Sequence, residues 1–316
     1  MSLITYDLMG NKRDKVQIAI DRLRAFEPED GYYLAFSGGK DSQCIYHLAE
    51  MAGVKFDAHY RITSVDPPEL VRFIKTQYPD VHMDYPRDKD GKVITMWNLI
   101  PRNLIPPTRT ARYCCSSLKE TGGKGRITVT GVRWDESRNR KENQGVVTIQ
   151  SRKAAGIAVS NGADYRRTAK PGIVLNMDNA PERRTIEQCF RTHKTLVNPI
   201  IDWLEEDVWE FLNNVVKVPH CCLYDQGYSR IGCIGCPLTN SCEDELNAYP
   251  KYKDSYMRAF ERMLEERKRR GKGANAGDFK HSKEVMDWYI GKAQTVQNKL
   301  DGQMDIEDLM EVRDEI

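Results

Sequence analysis

Six consecutive residues have the composition of an anion-binding loop, and they stand between a short apolar run and a helical pattern. Glycines allow the backbone to turn sharply and to approach a ligand closely. Backbone N–H groups at the start of a helix attract an anion, and the helix dipole adds to this attraction. The lysine supplies a positive charge, the serines can donate hydrogen bonds, and the aspartate can help to hold Mg²⁺. The loop is shorter than the Walker pattern and consists of Ser37, Gly38, Gly39, Lys40, Asp41 and Ser42.

Four of the nine cysteines are spaced like the ligands of a metal centre. Cys114 and Cys115 are adjacent, and Cys233 and Cys236 form a glycine-flanked Cys-x-x-Cys motif. Consecutive cysteines hold one zinc ion poorly because their side chains diverge. They can reach two corners of an iron–sulfur cubane, which normally takes four thiolates. We therefore favour a [4Fe–4S] cluster, and a zinc ion and buried free thiols are the alternatives.

The other cysteines leave one ligand position open. Cys242 follows Cys236 closely enough to replace one member of the adjacent pair, and Cys221 and Cys222 could lie near the centre without binding it. An odd number of cysteines without an export signal disfavours a disulfide framework. Two further cysteines fall in helical patterns and are interpreted as structural: Cys44 and Cys189.

Four segments resemble the phosphoadenosine phosphosulfate (PAPS) reductase family of PP-loop ATP pyrophosphatases, in its iron–sulfur branch. They are spread from about Gly31 to Pro237, a range that is most of the chain, and read SGGKDS at 37–42, CCSSLK at 114–119, GVRWDESRNR at 131–140, and NPIIDWLEEDVW at 198–209 followed by GCIGCP. The resemblance implies a doubly wound α/β fold with a mostly parallel sheet. It also implies that the loop grips the β,γ-pyrophosphate of ATP while a substrate oxygen attacks the α-phosphorus. In iron–sulfur members the two cysteine pairs hold the cluster, which gives ligand roles to Cys114, Cys115, Cys233 and Cys236.

The third segment is interpreted as the basic end of a strand. Doubly wound folds bind ligands at the carboxyl ends of their strands. Gly131 permits close approach, and Arg133 can clamp a phosphate or sulfate in a bidentate manner. Asp66 follows the second predicted strand and is assigned to Mg²⁺ or ribose. Catalytic roles are predicted for Lys40, Asp41, Arg133 and Lys119. Supporting polar residues are Glu136, Ser137, Arg138 and Arg140 on the rim of the site, and Arg109 and Arg112 before the cysteine pair.

The intact loop favours one enzyme function over another. Reductases of the family usually have a degenerate loop and a nucleophilic cysteine in a Glu-Cys-Gly-type motif, whereas this sequence keeps SGGKDS and has no cysteine after Cys242. We therefore expect ATP to be split into AMP and pyrophosphate to activate a substrate for sulfur transfer. This resembles the branch that includes the adenylating component of DNA phosphorothioate modification and the tRNA thiolases. The alternatives are an adenylyl-sulfate or PAPS reductase that releases sulfite, and a non-catalytic nucleotide- and cluster-binding subunit of a larger complex.

Composition bears on the cellular setting and on partners. The 316 residues are 40% hydrophobic and 30% charged, without a membrane-length apolar run or the apolar core of a signal peptide. We therefore expect a cytoplasmic protein that does not enter a membrane. The expected partners are an adenine nucleotide and a sulfur-donor protein. Residues 131–195 have a net charge of +6, which makes nucleic acid a further candidate, and residues 301–316 have a net charge of −6.

Alternating strand and helix patterns predict a parallel sheet that positions these motifs. Strands are predicted at 31–37, 54–62, 81–85 and 127–134, and helices at 12–26, 41–51, 67–78, 205–216, 249–270, 280–290 and 306–312. Residues 144–185 are weakly periodic and predict a long loop with one short strand at 172–175. We predict two domains, a PP-loop nucleotide-binding α/β domain at 1–217 and an iron–sulfur segment with a helical region at 218–316.

Overall fold

The computed structural model describes residues 2–6, 9–177, 179–271 and 279–300, with side chains as far as 291 in the last range. The strands are β1 Ile4–Tyr6, β2 Lys12–Asp14, β3 Tyr32–Ala35, β4 Phe56–Arg61, β5 His82–Asp84, β6 Ile127–Val129, β7 Val147–Gln150, β8 Arg166–Arg167, β9 Ile173–Leu175 and β10 Lys194–Val197. The helices are α1 Lys15–Ala25, α2 Lys40–Ala52, α3 Pro68–Gln77, α4 Met96–Asn103, α5 Arg138–Asn143, α6 Ala154–Asn161, α7 Ala180–Cys189, α8 Glu205–Glu210, α9 Cys242–Ala248, α10 Pro250–Arg270 and α11 Ser282–Leu300. Shorter helical turns span Cys115–Lys119, Trp134–Glu136 and Phe211–Val216.

The chain divides into two compact units that interleave in sequence. The first, called the sheet unit, contains Met1–Arg61, Pro68–Asp84 and Thr121–Ile231. The second, called the cysteine unit, contains Ile62–Pro67, Tyr85–Glu120 and Gly232–Ile316. This division differs from the boundary predicted after residue 217, because Ile62–Pro67 and Tyr85–Glu120 belong to the same unit as the C-terminal helices.

The sheet unit is built on eight strands in the order β5-β4-β3-β6-β10-β7-β9-β8. The pairs from β5 to β10 are parallel, and those from β10 to β8 are antiparallel. The apolar run of β3 is buried at its centre, where Leu34 pairs with Ala58 on one side and Val129 on the other. The predicted doubly wound, mostly parallel α/β fold is confirmed, and β3 to β6 correspond to the four predicted strands.

The prediction of a long loop over residues 144–185 is wrong, although the one short strand predicted within it, at 172–175, is confirmed as β9. This segment contains β7, β8 and β9, the helix α6 and the start of α7. The strands have two to four residues each, which is too short to produce a clear alternation of apolar and polar residues. They form the antiparallel edge of the sheet because β7 pairs with β10. Their pairing is non-local, and the local sequence does not encode it.

The cysteine unit is helical, as predicted for the C-terminal region. Its buried core includes Val65, Leu99, Tyr256, Phe260 and Tyr289, contributed by the loop at 62–67 and by three helices. Helix α10 packs against both α4 and α11, begins at Pro250 and ends at a left-handed glycine. The predicted helix at 306–312 lies outside the described residues. None of the described helices combines the length and the apolar character needed to cross a bilayer.

Candidate functional site

The glycine loop lies at the carboxyl end of β3, in the centre of the sheet. Gly38 has φ +73°, and an added Cβ would lie 2.7 Å from Leu70 Cδ1 and 2.8 Å from Ile74 Cδ1. Only glycine fits here, since the backbone is left-handed and the space is filled. Ser37 Oγ donates to Ser42 Oγ at 3.1 Å, and Ser42 Oγ donates to the Gly39 carbonyl at 2.8 Å. The loop is thus turned and closed immediately before α2.

Lys40 is the first residue of α2 and is only 5% exposed. Its ammonium group donates to the Ser229 carbonyl at 2.7 Å and lies 3.2 Å from Glu205 Oε1. The same group lies 5.4 Å from the centroid of the Tyr224 ring and 6.0 Å from that of Trp209. The backbone N–H of Lys40 donates to the Tyr224 hydroxyl at 2.8 Å. Both the charge and the N–H of the loop lysine therefore have partners within the sheet unit.

The neighbouring strand β6 brings the predicted basic strand end to the loop. Gly131 packs against the first turn of α2, where an added Cβ would lie 2.8 Å from the Asp41 carbonyl oxygen. Arg133 is 3% exposed, and its Nε lies 2.6 Å from Asp41 Oδ1. Its Nη1 lies 3.2 Å from Asp135 Oδ2. The structure thus places Arg133 beside the loop and joins it to Asp41, and its role as an anion clamp stays a prediction.

The polar rim is also ordered by ion pairs. Glu136 accepts a hydrogen bond from the Arg133 backbone N–H at 3.0 Å and is paired with Arg140. Burial lowers the pKa of Arg140, while the negative charge of Glu136 acts in the opposite direction. Arg138 is 92% exposed and pairs with Glu142 on α5. Arg140 therefore belongs to the inner rim, and Arg138 faces solvent.

All four predicted cluster ligands belong to the cysteine unit. Cys114 and Cys115 interact with each other, and the Cys114 thiol lowers the pKa of Cys115 to about 5, with Arg112 acting in the same direction. The hydrogen bond to Cys115 and burial raise the pKa of Cys114, and the charges of Cys233 and Cys236 add to this. Burial raises the pKa of Cys236 to about 11. The two pairs thus influence each other electrostatically.

Lys119 belongs with these cysteines. Although much of its side chain is exposed, the ammonium group is hydrogen-bonded to Cys233. The negative charge of Cys233 is the largest cause of the raised pKa of Lys119, and Asp66 contributes. The turn Cys115–Lys119 is π-helical, with Glu120 N–H donating to the Cys115 carbonyl at 3.0 Å. Lys119 thus places its charge beside the Cys-x-x-Cys loop.

Asp66 is also part of the cysteine unit, whereas Ser37–Ser42 belong to the sheet unit. Both of its carboxylate oxygens accept hydrogen bonds from Thr63, at 2.7 Å from the backbone N–H and 2.7 Å from the hydroxyl. Cys233 Sγ in turn lies 3.5 Å from Thr63 Oγ1. The structure therefore assigns to Asp66 a supporting contact for the cysteine site, and its predicted contact with Mg²⁺ or ribose remains a prediction.

The Cys-x-x-Cys loop is fixed through its backbone. Ile234 N–H donates to the Val65 carbonyl at 2.8 Å, and the Tyr289 hydroxyl donates to the Gly235 carbonyl at 2.7 Å. Glu245 accepts from the Gly235 N–H at 2.8 Å. Sequence reasoning missed these supports, because residues so far apart in the chain show no local signal of their contact. Tyr289 falls within the predicted helix at 280–290, whereas the sequence predicted no element for Glu245, which the structure places on α9.

The donor groups of the cysteine site bear on the kind of metal centre that it could hold. Among the residues that the structure describes, no three His, Cys, Asp or Glu side chains are arranged to hold a metal ion. The ligands of a single ion must converge on one point, whereas each thiolate of a [4Fe–4S] cluster binds a different iron. The four thiols, with Lys119 as a nearby cation, supply the type and number of ligands that such a cluster requires.

The remaining cysteines differ in environment. Cys242 is fully buried in the cysteine unit, and burial raises its pKa to about 12, with Glu245 adding to the effect. Cys221 is buried and Cys222 exposed, and both belong to the sheet unit on the turn that carries Tyr224. Cys44 and Cys189 are fully buried on α2 and α7. Of these five cysteines, only Cys242 belongs to the same unit as the four predicted ligands.

Comparison with known proteins identifies the class. Residues 31–239 match the family model of the phosphoadenosine phosphosulfate reductase domain, and the chain belongs to this family. It is 25% identical over 241 residues to an uncharacterized protein of Methanocaldococcus jannaschii, covering 75% of this chain and 47% of that protein. A shorter stretch of 52 residues is 36% identical to adenosine 5'-phosphosulfate reductase of Allochromatium vinosum, covering 16% of this chain and 20% of the reductase. The chain thus spans less than half of the length of either relative.

Two solved structures are distantly similar to this chain. A phosphoadenylyl-sulfate reductase of Candida auris in a phosphate complex is 14% identical, with a TM-score of 0.39 over 68% of this chain and 87% of that one. An FMN adenylyltransferase of Candida glabrata is 16% identical, with a TM-score of 0.37 over 70% of this chain and 61% of that one.

Proposed function

We propose that the protein binds ATP at Ser37–Ser42 and splits it into AMP and pyrophosphate to activate a substrate for sulfur transfer. The observation that carries this proposal is the complete glycine loop at the end of β3, with Lys40 and Arg133 beside it. Phosphates bind well at a helix N-terminus because N–H groups and the helix dipole face them. Arginine and lysine supply the charge that the pyrophosphate leaving group requires.

In the proposed reaction a substrate oxygen attacks the α-phosphorus of ATP and the bond to the β-phosphate oxygen breaks. The leaving group is pyrophosphate, and the substrate carries AMP. A sulfur nucleophile delivered by a donor protein then replaces the AMP. Lys40 and Arg133 stabilise charge on the phosphates, Gly131 permits close approach, and Asp41 is the proposed Mg²⁺ ligand. A carboxylate oxygen is a ligand type that Mg²⁺ prefers.

We further propose that Cys114, Cys115, Cys233 and Cys236 hold a [4Fe–4S] cluster, with Lys119 as its cationic neighbour. Such a cluster would supply electron transfer or a site for sulfur at this position. The contacts of Lys119 with Cys233 and of Thr63 with Asp66 would orient the ligands and balance their charge. Family membership supports an enzyme of this class.

A reductase is the second candidate, because the chain belongs to the PAPS reductase family and resembles an adenosine 5'-phosphosulfate reductase over a short stretch. In that reaction a thiol donor would reduce the sulfuryl group and release sulfite.

Purified anaerobic protein incubated with ATP and Mg²⁺ should yield AMP and pyrophosphate. Sulfite from adenylyl sulfate or PAPS, without pyrophosphate from ATP, would instead identify a reductase.

The cluster is tested separately. Anaerobically purified protein should be brown and contain about four irons and four sulfides per chain. Stoichiometric zinc without inorganic sulfide would contradict the proposal. Cys115→Ser and Cys242→Ser are compared side by side, since the variant that loses iron identifies the fourth ligand.

A further inference from the structure

A backbone N–H of the glycine loop that a bound phosphate could use is already occupied by another residue of the protein. The N–H of Lys40, the first of the 13-residue helix α2, donates to the Tyr224 hydroxyl at 2.8 Å. A phosphate oxygen at this helix N-terminus would accept from the same N–H. Because one N–H makes one strong, well-aligned hydrogen bond, the phenol and a phosphate compete for it.

The charge of the loop is satisfied in the same way. The Lys40 ammonium group lies 3.2 Å from Glu205 Oε1 and donates to the Ser229 carbonyl at 2.7 Å. A carboxylate is a fair electrostatic substitute for a phosphate oxygen. The contacts to Tyr224, Ser229 and Glu205 therefore mimic an anion at the loop, although these residues lie far from Lys40 in sequence.

Residues 221–230, called the tyrosine strap, carry two of these three contacts. The strap is a series of tight turns, such as Gly227 N–H to the Tyr224 carbonyl at 3.1 Å. Leu223 anchors it in the core, and the Tyr224 ring packs edge-on against Trp209 at 5.0 Å. The stretch from Asp225 to Gly227 is exposed. The two buried residues of the strap, Cys221 and Leu223, lie at its N-terminal end, and its other residues are partly or fully exposed. A segment with so much of its length at the surface can be displaced from the loop as a unit.

We infer that the tyrosine strap and Glu205 are displaceable occupants of the pyrophosphate site. A pyrophosphate group takes the Lys40 N–H from the Tyr224 hydroxyl and draws the Lys40 ammonium group from Glu205 and Ser229, which releases the strap. The inference rests on the proposed function in so far as it takes the loop as a pyrophosphate site. The same chemistry belongs to free pyrophosphate and to the end of ATP, and both are used as probes.

The first experiment measures affinity. Calorimetric titration with Mg²⁺-pyrophosphate, and with a non-hydrolysable ATP analogue, compares the wild type with Tyr224→Phe. Removing the hydroxyl takes a competitor from the Lys40 N–H, so the variant should bind both probes about fivefold more tightly, as expected for one neutral hydrogen bond. Tyr6→Phe, at a tyrosine that is 69% exposed, is the matched control. Equal or weaker binding by Tyr224→Phe overturns the inference.

Glu205→Gln is the second variant, and it keeps the inference testable if Tyr224→Phe does not fold. Loss of the carboxylate frees the Lys40 charge, so affinity for pyrophosphate should rise severalfold, more at low salt because the ion pair is partly exposed. An unchanged affinity at low salt contradicts the displacement. If neither the wild type nor the variants bind either probe, the proposed function fails as well. If the wild type binds and the variants bind no better, only the present inference fails.

A second experiment follows the strap in the wild type. Cys221 is 0% exposed, and release of the strap should uncover it. We expect Mg²⁺-pyrophosphate to increase labelling of Cys221 by N-ethylmaleimide, measured by peptide mass spectrometry. Cys44, also 0% exposed, is the internal control and should stay unlabelled. A bound ligand usually protects the residues near its site from labelling, so increased labelling of Cys221 would be specific to release of the strap. Unchanged or reduced labelling of Cys221 at saturating pyrophosphate overturns the inference.

Discussion

At the scale of single residues, the site depends on buried or paired charges. Arg133 contacts Asp41 and Asp135 and is 3% exposed. A guanidinium held by two carboxylates is already oriented, so binding an anion costs little further side-chain entropy. Removing one partner of a buried pair leaves the other charge uncompensated. Arg133 thus contributes to both stability and the proposed chemistry.

Arg133→Ala should therefore affect both properties. We expect turnover of ATP to fall about a hundredfold, the usual effect of losing one charge-assisted contact in a transition state. The free energy of unfolding should fall by about 2 kcal/mol, less than for a fully buried pair because Asp41 is 26% exposed. Urea titration measures this value. Arg138→Ala, at a solvent-exposed ion pair, should leave stability unchanged, and equal stability of the two variants would contradict the assignment.

Lys119 supports a second residue-scale prediction, which concerns the cysteine site. Its ammonium group compensates the negative charge of Cys233, and a bound cluster with four thiolates would add negative charge. Lys119→Met should therefore release iron to a chelator faster than the wild type does. We expect a factor of about ten, because Lys119 acts on the cluster only through its ligand Cys233. Lys251→Met changes an exposed lysine at the start of α10 and is the control. Identical release rates for all three proteins would argue against a role of Lys119 at the cluster.

At the scale of elements, backbone turns determine where the reactive groups lie. Gly38 makes the turn between β3 and α2 possible. The π-helical turn Cys115–Lys119 begins at the second cysteine of the first pair and ends at Lys119, so it determines their spacing. Gly53 ends α2 with φ +69°, and a Cβ added there would have no neighbouring atom within 4 Å. The two glycines thus share a left-handed backbone but differ in the space around them.

This difference gives a matched pair of variants. Gly38→Ala should lower the free energy of unfolding by about 3 kcal/mol, the sum of left-handed strain and overpacking against Leu70 and Ile74. Gly53→Ala should cost only the strain, about 1 kcal/mol. Urea titration of both variants measures the two effects. Similar losses for both would mean that the loop can move away from α3, contrary to the packing described.

At the scale of the whole molecule, segments of the two units alternate along the sequence. The core of the cysteine unit combines Val65, Leu99 and Ile100 from the first half of the sequence with Tyr256 and Phe260 from α10. Neither group can bury its apolar surface without the other, since hydrophobic stabilisation depends on the area removed from water. Folding of this unit therefore requires both parts of the chain.

A chain ended after Ile231 tests this requirement. It keeps the whole sheet unit but loses α9, α10 and α11, which pack with α4 and the loop at 62–67 in one core. We expect this fragment to bind the hydrophobic dye ANS and to be less stable in urea than the full chain, because apolar residues such as Met96 and Leu99 become exposed. A fragment that stays monomeric, binds no dye and unfolds at the same urea concentration would contradict the interleaved division.

The sequence by itself determined the elements whose signals are local. The buried strand before SGGKDS, the helix after it and the basic end of the strand at Gly131 are each encoded within a short stretch of chain, so the sheet and the loop with Arg133 could be predicted. The cysteine spacing likewise indicated a common site. Short strands such as β7 and β8 could not be recognised, because their pairing with distant strands stabilises them more than their own composition does.

Only the tertiary structure decided which distant side chains meet. Tyr224 and Glu205 contact Lys40, and Thr63 links Asp66 with Cys233, although no spacing in the sequence relates these residues. The units interleave because apolar residues from both halves of the chain share one core. Such contacts depend on where the chain returns after long excursions, and that is determined by packing of the complete fold rather than by local propensity.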